Sequence, residues 1–167
     1  ETLVKNADTA LYSAKTRGKD KYVFCSQEMK NRNLKVTQLT NDLYKSIEKD
    51  QLLLHYQPQI DLKTKEIVGF EALVRWKHPS FGMISPGVFI PLAEKSGFIH
   101  QVGAWVLEEA CRQCKAWQDE GFIGPRIAVN ISVYQLSRPD FVLEVDNTLK
   151  KTGLASEYLE LEITERA

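Results

Sequence analysis

The chain has 167 residues, 43% of them hydrophobic and 26% charged, which suits one sizeable core plus a fragment and excludes a disordered or fibrous protein. Basic and acidic residues both number 22, so no global field draws the chain to DNA, RNA or an anionic membrane surface, and any anionic ligand must be held locally. No stretch nears the ~18 apolar residues of a bilayer span, and the start, ETLVKNADTA, lacks the basic and apolar regions of a signal peptide. A cytoplasmic location is the expectation.

The first predicted element is a short helix over residues 5–16, stopped by Gly18, and KYVF (Lys21 to Phe24) follows as a brief strand. Leu34, Leu39, Leu43 and Ile47 share one helical face, which predicts a connecting helix over 26–50. From residue 51 strands and helices alternate. LLLHYQPQI is a strand that turns at Asp61 to Glu66 and pairs as a hairpin with IVGFEALVRW. Helical patterning covers residues 86–120, closed by Gly121. RIAVNIS is a strand, DFVLEVDNTLKKTG a helix ending at Gly153, and YLELEITE a last strand. This order predicts an α/β fold with a parallel sheet. Cys111 and Cys114 have CxxC spacing on the long helix, but no second pair or histidine pair accompanies them, so buried structural thiols are expected.

Strands of a parallel sheet are covered on both faces, and charge inside them is costly unless it is paired or ligating something. Alternation puts Glu71 and Arg75 on one face of the second strand with Ile67, Gly69 and Leu73. The same rule groups Asn130 with Ala128 and Ser132, and Glu160 with Glu162 and Thr164. Carboxylates and an amide oxygen at one sheet rim form a hard oxygen set suited to Mg²⁺ or Mn²⁺ and to phosphoester hydrolysis, with Arg75 placed for a phosphate oxygen. The same residues also fit a buried Glu71–Arg75 ion pair, a loop-capping Asn130 and solvent-facing Glu160 and Glu162.

The string EALVRWKHP at Glu71 to Pro79 resembles the signature of the EAL family of cyclic di-GMP phosphodiesterases. YQPQID (Tyr56 to Asp61), SPGVFIPLAEKSG (Ser85 to Gly97), VNISVYQLSRPDF (Val129 to Phe141) and ELEITE (Glu160 to Glu165) resemble further motifs of that family in the same order. The resemblance covers about residues 40–167. It implies a TIM-like barrel with an antiparallel first strand and ligands at the carboxyl ends of strands. It also implies that Glu71, Asn130 and Glu162 hold Mg²⁺ or Mn²⁺, that Glu165 orders a catalytic loop, and that Gln57, Leu73, Arg75 and Pro91 contact cyclic di-GMP. For Pro91 a helix-bending role is an equal alternative. NADTALYSAKTRGKDKYVF (residues 6–24) similarly resembles the last helix and strand of a GGDEF diguanylate cyclase domain, with Lys15 at a phosphate-touching position and Lys19 where that family often has arginine.

Three segments are therefore expected: a GGDEF tail (1–25), a connecting helix (26–50) and the amino-terminal half of an EAL domain (51–167). A full barrel runs to about 250 residues, so a barrel truncated at about half is expected, without the family's paired aspartates, lysine, further glutamate or glutamine. The expected function is a fragment of a phosphodiesterase that opens cyclic di-GMP to its linear form, the fragment itself being inactive. The alternative is a non-catalytic cyclic di-GMP receptor or interaction module. Homo-oligomerisation through the exposed strand edge or the EAL dimer surface and a parent tethered to the membrane through upstream segments complete the expectations.

Overall fold

A computed structural model describes residues 2–16, 18–122 and 124–163, and the chain divides into two units, Glu1–Asp42 and Leu43–Ala167. The first unit holds α1 (Thr2–Thr16) and most of α2 (Gln27–Leu43). Gly18, at φ +104°, lets the chain turn so that the Lys19 amide donates back to the Ala14 carbonyl. Ser26 starts α2, its Oγ accepting from the Met29 amide at 3.2 Å, and Asn33 Nδ2 donates to Thr9 Oγ1 at 3.3 Å between the two helices.

Two expectations fail in this stretch. KYVF forms no strand: Tyr22 and Phe24 are 85% and 83% exposed, their rings edge to face at 5.7 Å. β-branched and aromatic composition cannot hold a strand whose backbone finds no ladder partner. The connecting helix also ends at Leu43 instead of reaching residue 50. Buried Ser46 donates its hydroxyl to the Leu43 carbonyl at 2.7 Å, the Gln51 amide donates to the Ser46 carbonyl, and Asp50 takes φ +50°, so residues 44–50 form turns.

The second unit is built on β1 (Leu52–Ile60), β2 (Ile67–His78), β3 (Gly82–Ile84), β4 (Arg126–Ile131) and β5 (Leu159–Ile163), in the sheet order β1-β2-β4-β5 with β3 also on β2. β1 pairs antiparallel with β2 through the expected hairpin, closed by Asp61, whose Oδ1 accepts from the Lys63 and Thr64 amides at 2.8 and 2.9 Å. Those bonds hold the Asp61 carboxyl below its ordinary value. β2, β4 and β5 are parallel, as expected. Helices α3 (Pro86–Ser96) and α4 (Ile99–Asp119) connect β2 to β4, while α5 (Val133–Leu136) and α6 (Phe141–Thr152) connect β4 to β5. β3 and α5 went unread in the sequence, being too short for periodicity to register.

Alternate residues of β2 and β4 pack against the helices: Ala72, Trp76, Ile127, Val129 and Ile131 are buried with Phe89, Val102, Leu107 and Ala110. Trp76 is fully buried, donates its Nε1 to Gln51 Oε1 at 3.1 Å and meets Phe89 edge-on at 5.8 Å. Cys111 and Cys114 are buried free thiols inside α4, and desolvation pushes the Cys111 thiol up to about 12. Among the described residues no helix is long and apolar enough to cross a membrane.

Trp76→Ala removes a large ring from this packed site and is expected to cost about 3–5 kcal/mol of stability, read from urea unfolding. Iodoacetamide at pH 8 is expected to label Cys25 alone in the folded chain and all three cysteines in urea, because burial keeps Cys111 and Cys114 inaccessible and protonated; fast native labelling of either helix thiol contradicts this.

Candidate functional site

The site follows from how β2 divides its partners. β1 occupies one edge of β2 from Ile67 to Trp76. On the other edge β4 pairs with Gly69 to Ala72, and β3 pairs with Trp76 to His78. Leu73, Val74 and Arg75 lie between these ladders. A cavity of about 640 Å³ opens there, lined by Leu73, Val74 and Arg75, by Asn130 and Ser132 after β4, and by residues of α3, α4 and α5. It lies at the carboxyl ends of parallel strands, where α/β folds leave room for ligands.

The register brings the polar residues to the sheet face opposite the packed one. Gln57 stands across from Glu71, Glu71 beside Ala128, and Asn130 beside Glu162. Asn130 Nδ2 donates to Glu71 Oε1 at 2.7 Å, and Gln59 Nε2 donates to Glu162 Oε1 at 3.4 Å. Glu71, Asn130 and Glu162 are all half-buried. Arg75 makes no ion pair with Glu71 among the described residues; its Nη1 donates to the Val74 carbonyl at 2.9 Å, leaving further N–H groups beside the cavity. Glu160 is exposed and lies 3.8 Å from Arg126.

The remaining sequence candidates fall as follows. Gln57 is exposed on β1, and Leu73 lines the cavity. Pro91 is exposed on α3, whose Ile90 and Glu94 form the cavity wall instead. Glu165 lies outside the described residues. The donors at the sheet face are two carboxylates and one amide, an oxygen set that fits a hard divalent cation. Among the described residues no cluster of three or more His, Cys, Asp or Glu side chains is placed for a metal.

Sequence reading missed Gln135, which is buried and shapes the cavity wall. Ser132 caps α5 by accepting from the Gln135 amide at 3.3 Å, while Gln135 Oε1 accepts from the Ser132 amide at 3.2 Å. The S-x-x-Q spacing at Ser132 to Gln135 is the sequence signal that could have found it. Gly103 of α4 makes room for this side chain: a Cβ there would come within 1.8 Å of Gln135 Nε2. Arg138 then bridges Asp140 and Glu144, fixing the turn into α6 and holding the Asp140 carboxyl low.

The EAL domain family model matches residues 40–167. The bifunctional diguanylate cyclase/cyclic di-GMP phosphodiesterase MucR of Pseudomonas aeruginosa is 45% identical over 163 residues, 98% of this chain and 24% of MucR. The cyclic di-GMP phosphodiesterase NbdA of the same organism is 41% identical over 167 residues, 100% of this chain and 21% of NbdA. The chain thus spans about a quarter or less of the length of these curated relatives. The solved PaMucR phosphodiesterase in complex with c-di-GMP matches with a TM-score of 0.74 and 48% identity, covering 77% of this chain and 52% of that one. The mixed α/β sheet is accordingly a partial form of the EAL TIM-barrel-like fold.

Gly103→Ala forces Gln135 out of its seat and is expected to cost about 1–3 kcal/mol, whereas Gly103→Ala combined with Gln135→Ala should recover much of that loss. Chemical unfolding of the two variants checks it, and equal losses in both would contradict the steric account.

Proposed function

The chain belongs to the EAL domain family, and we propose that it supplies the amino-terminal half of a divalent-metal phosphodiesterase site that opens cyclic di-GMP to the linear dinucleotide. The observation that carries this reading is the 2.7 Å contact of Asn130 with Glu71 beside the cavity at the strand ends. The names of MucR and NbdA and the c-di-GMP complex of PaMucR support the substrate.

In this reading Glu71, Asn130 and Glu162 hold Mg²⁺ or Mn²⁺, which when bound lowers the pKa of a water and offsets charge at the phosphodiester. Asn130 turns its amide oxygen towards the cation and fixes the Glu71 carboxylate through the strand register. Arg75 binds a non-bridging phosphate oxygen with the N–H groups not used on Val74. Gln57 and Leu73 contact the dinucleotide, Pro91 lies towards a guanine on α3, and Glu165 orders a neighbouring catalytic loop.

The chain covers 52% of the PaMucR phosphodiesterase chain, and this supports the reading of 51–167 as half of an EAL domain. The matches to MucR and NbdA extend through residues amino-terminal to the EAL match, which supports a GGDEF tail at 1–25, with 26–50 as the connecting segment. We place the protein in the cytoplasm, with a membrane tether in a longer parent, and assign self-association to the strand edge or the EAL dimer surface.

The test is chromatographic. The 167-residue chain incubated with cyclic di-GMP and Mn²⁺ is expected to yield no linear dinucleotide, while a chain extended to a complete domain yields it. Glu71→Gln in the extended chain should lower turnover by more than about 100-fold, since even partners of metal ligands are worth 10–100-fold. An inactive extended chain overturns the hydrolytic reading.

A further inference from the structure

Gly69 is buried in β2, and a Cβ built on it would meet Gln59 Oε1 at 2.7 Å and the Arg126 carbonyl oxygen at 3.2 Å. The Gln59 amide therefore occupies the volume that a side chain at position 69 would fill. From that seat its Nε2 donates to Glu162 Oε1 at 3.4 Å, although β2 and β4 separate β1 from β5 in the sheet. Gln59 is the direct cross-strand partner of Gly69, and the register slips only beyond them, where Ile60 faces Ile67 and Val68 of β2 is the extra residue. Hydrogen bond, steric notch and cross-strand pairing with Gly69 meet at one residue.

We propose that Gln59 is a positioning residue that holds the Glu162 carboxylate over the sheet face, seated by the missing side chain of Gly69. The consequence for a cation rests on the metal reading above. A glutamate on a strand explores several rotamers, and ordering it before binding removes that cost from the binding step. A neutral amide suits this task. It fixes one carboxylate oxygen while leaving the charge and the remaining lone pairs of Glu162 for a ligand, whereas a lysine at the same place would compete with a cation.

The test combines a spectroscopic signature with binding of Mn²⁺ alone to the 167-residue chain. The side-chain amide resonances of Gln59 in a ¹H–¹⁵N spectrum are expected to move in Glu162→Gln and in Gly69→Ala. Unmoved resonances overturn the proposal. Gln59→Leu and Gln59→Asn, the second too short to span the gap, are expected to weaken Mn²⁺ binding about tenfold, and Gln59→Leu with Gly69→Ala to do no worse than the weaker single variant. Native affinity in Gln59→Leu, alongside a loss in Glu162→Gln, means Gln59 is idle and the proposal fails. If Glu162→Gln itself leaves Mn²⁺ binding unchanged, the metal reading fails; resonance shifts in that variant then still uphold positioning by Gln59. Should Gly69→Ala not fold, the two Gln59 variants decide alone.

Discussion

Strand β2 must satisfy three neighbours, and it cannot do so with one continuous ladder on each edge. β1 takes one edge, while β4 and β3 share the other and leave Leu73 to Arg75 between them. Every feature of the site depends on that division. A β4 ladder continued along β2 would close the space now lined by Leu73, Val74 and Arg75, and an absent β3 would leave the end of a long strand unpaired beside Trp76. The division works because each side has its own anchor. Trp76 packs on Phe89 at the β3 end, and the apolar face of β4, with Ile127, Val129 and Ile131, is buried at the other.

Burying one face so completely frees the other for polar groups. Half-buried carboxylates at Glu71 and Glu162 are costly to place near each other without compensation. Arg75 does not supply it, since its guanidinium donates to the Val74 carbonyl. Neutral amides supply the contacts instead: Asn130 on Glu71 and Gln59 on Glu162. An amide orients a carboxylate without cancelling its charge. That property is what the proposed divalent-metal reading requires of this face.

The order of elements from Leu52 onward, the antiparallel hairpin and the parallel strands were legible because hydrophobic period and glycine stops coincide there. Gly121 and Gly153 follow the ends of α4 and α6 where the sequence placed the stops, while the break at Gly97 between α3 and α4 was not among them. Face alternation likewise grouped Glu71 with Arg75 and Asn130 with Ser132. What alternation cannot supply is pairing. It does not say that KYVF lacks a partner, that α2 gives way to turns when Ser46 is buried, or that Glu71 meets Asn130 and not Arg75. Those facts are decided by backbone groups elsewhere in the chain, and no local pattern encodes them.

Gln59 and Gln135 show a shared reason for the hidden part of the site. Each is a glutamine whose amide occupies the place of a missing Cβ, one over Gly69 in a strand and the other over Gly103 in a helix. Neither glycine needs positive φ; each is required by the close approach of another side chain. A glycine inside a strand or helix weakens the element locally, by roughly 0.5–1 kcal/mol relative to alanine. That cost is offset where the vacated volume receives a hydrogen-bonded amide that fixes a carboxylate or a cavity wall. Sequence alone shows only the glycine and the distant glutamine, with nothing to join them. Their pairing exists because the sheet order carries β1 to the edge of β2 and the β4–α5 turn onto α4, so the long-range topology turns two unremarkable residue types into the supports of one site.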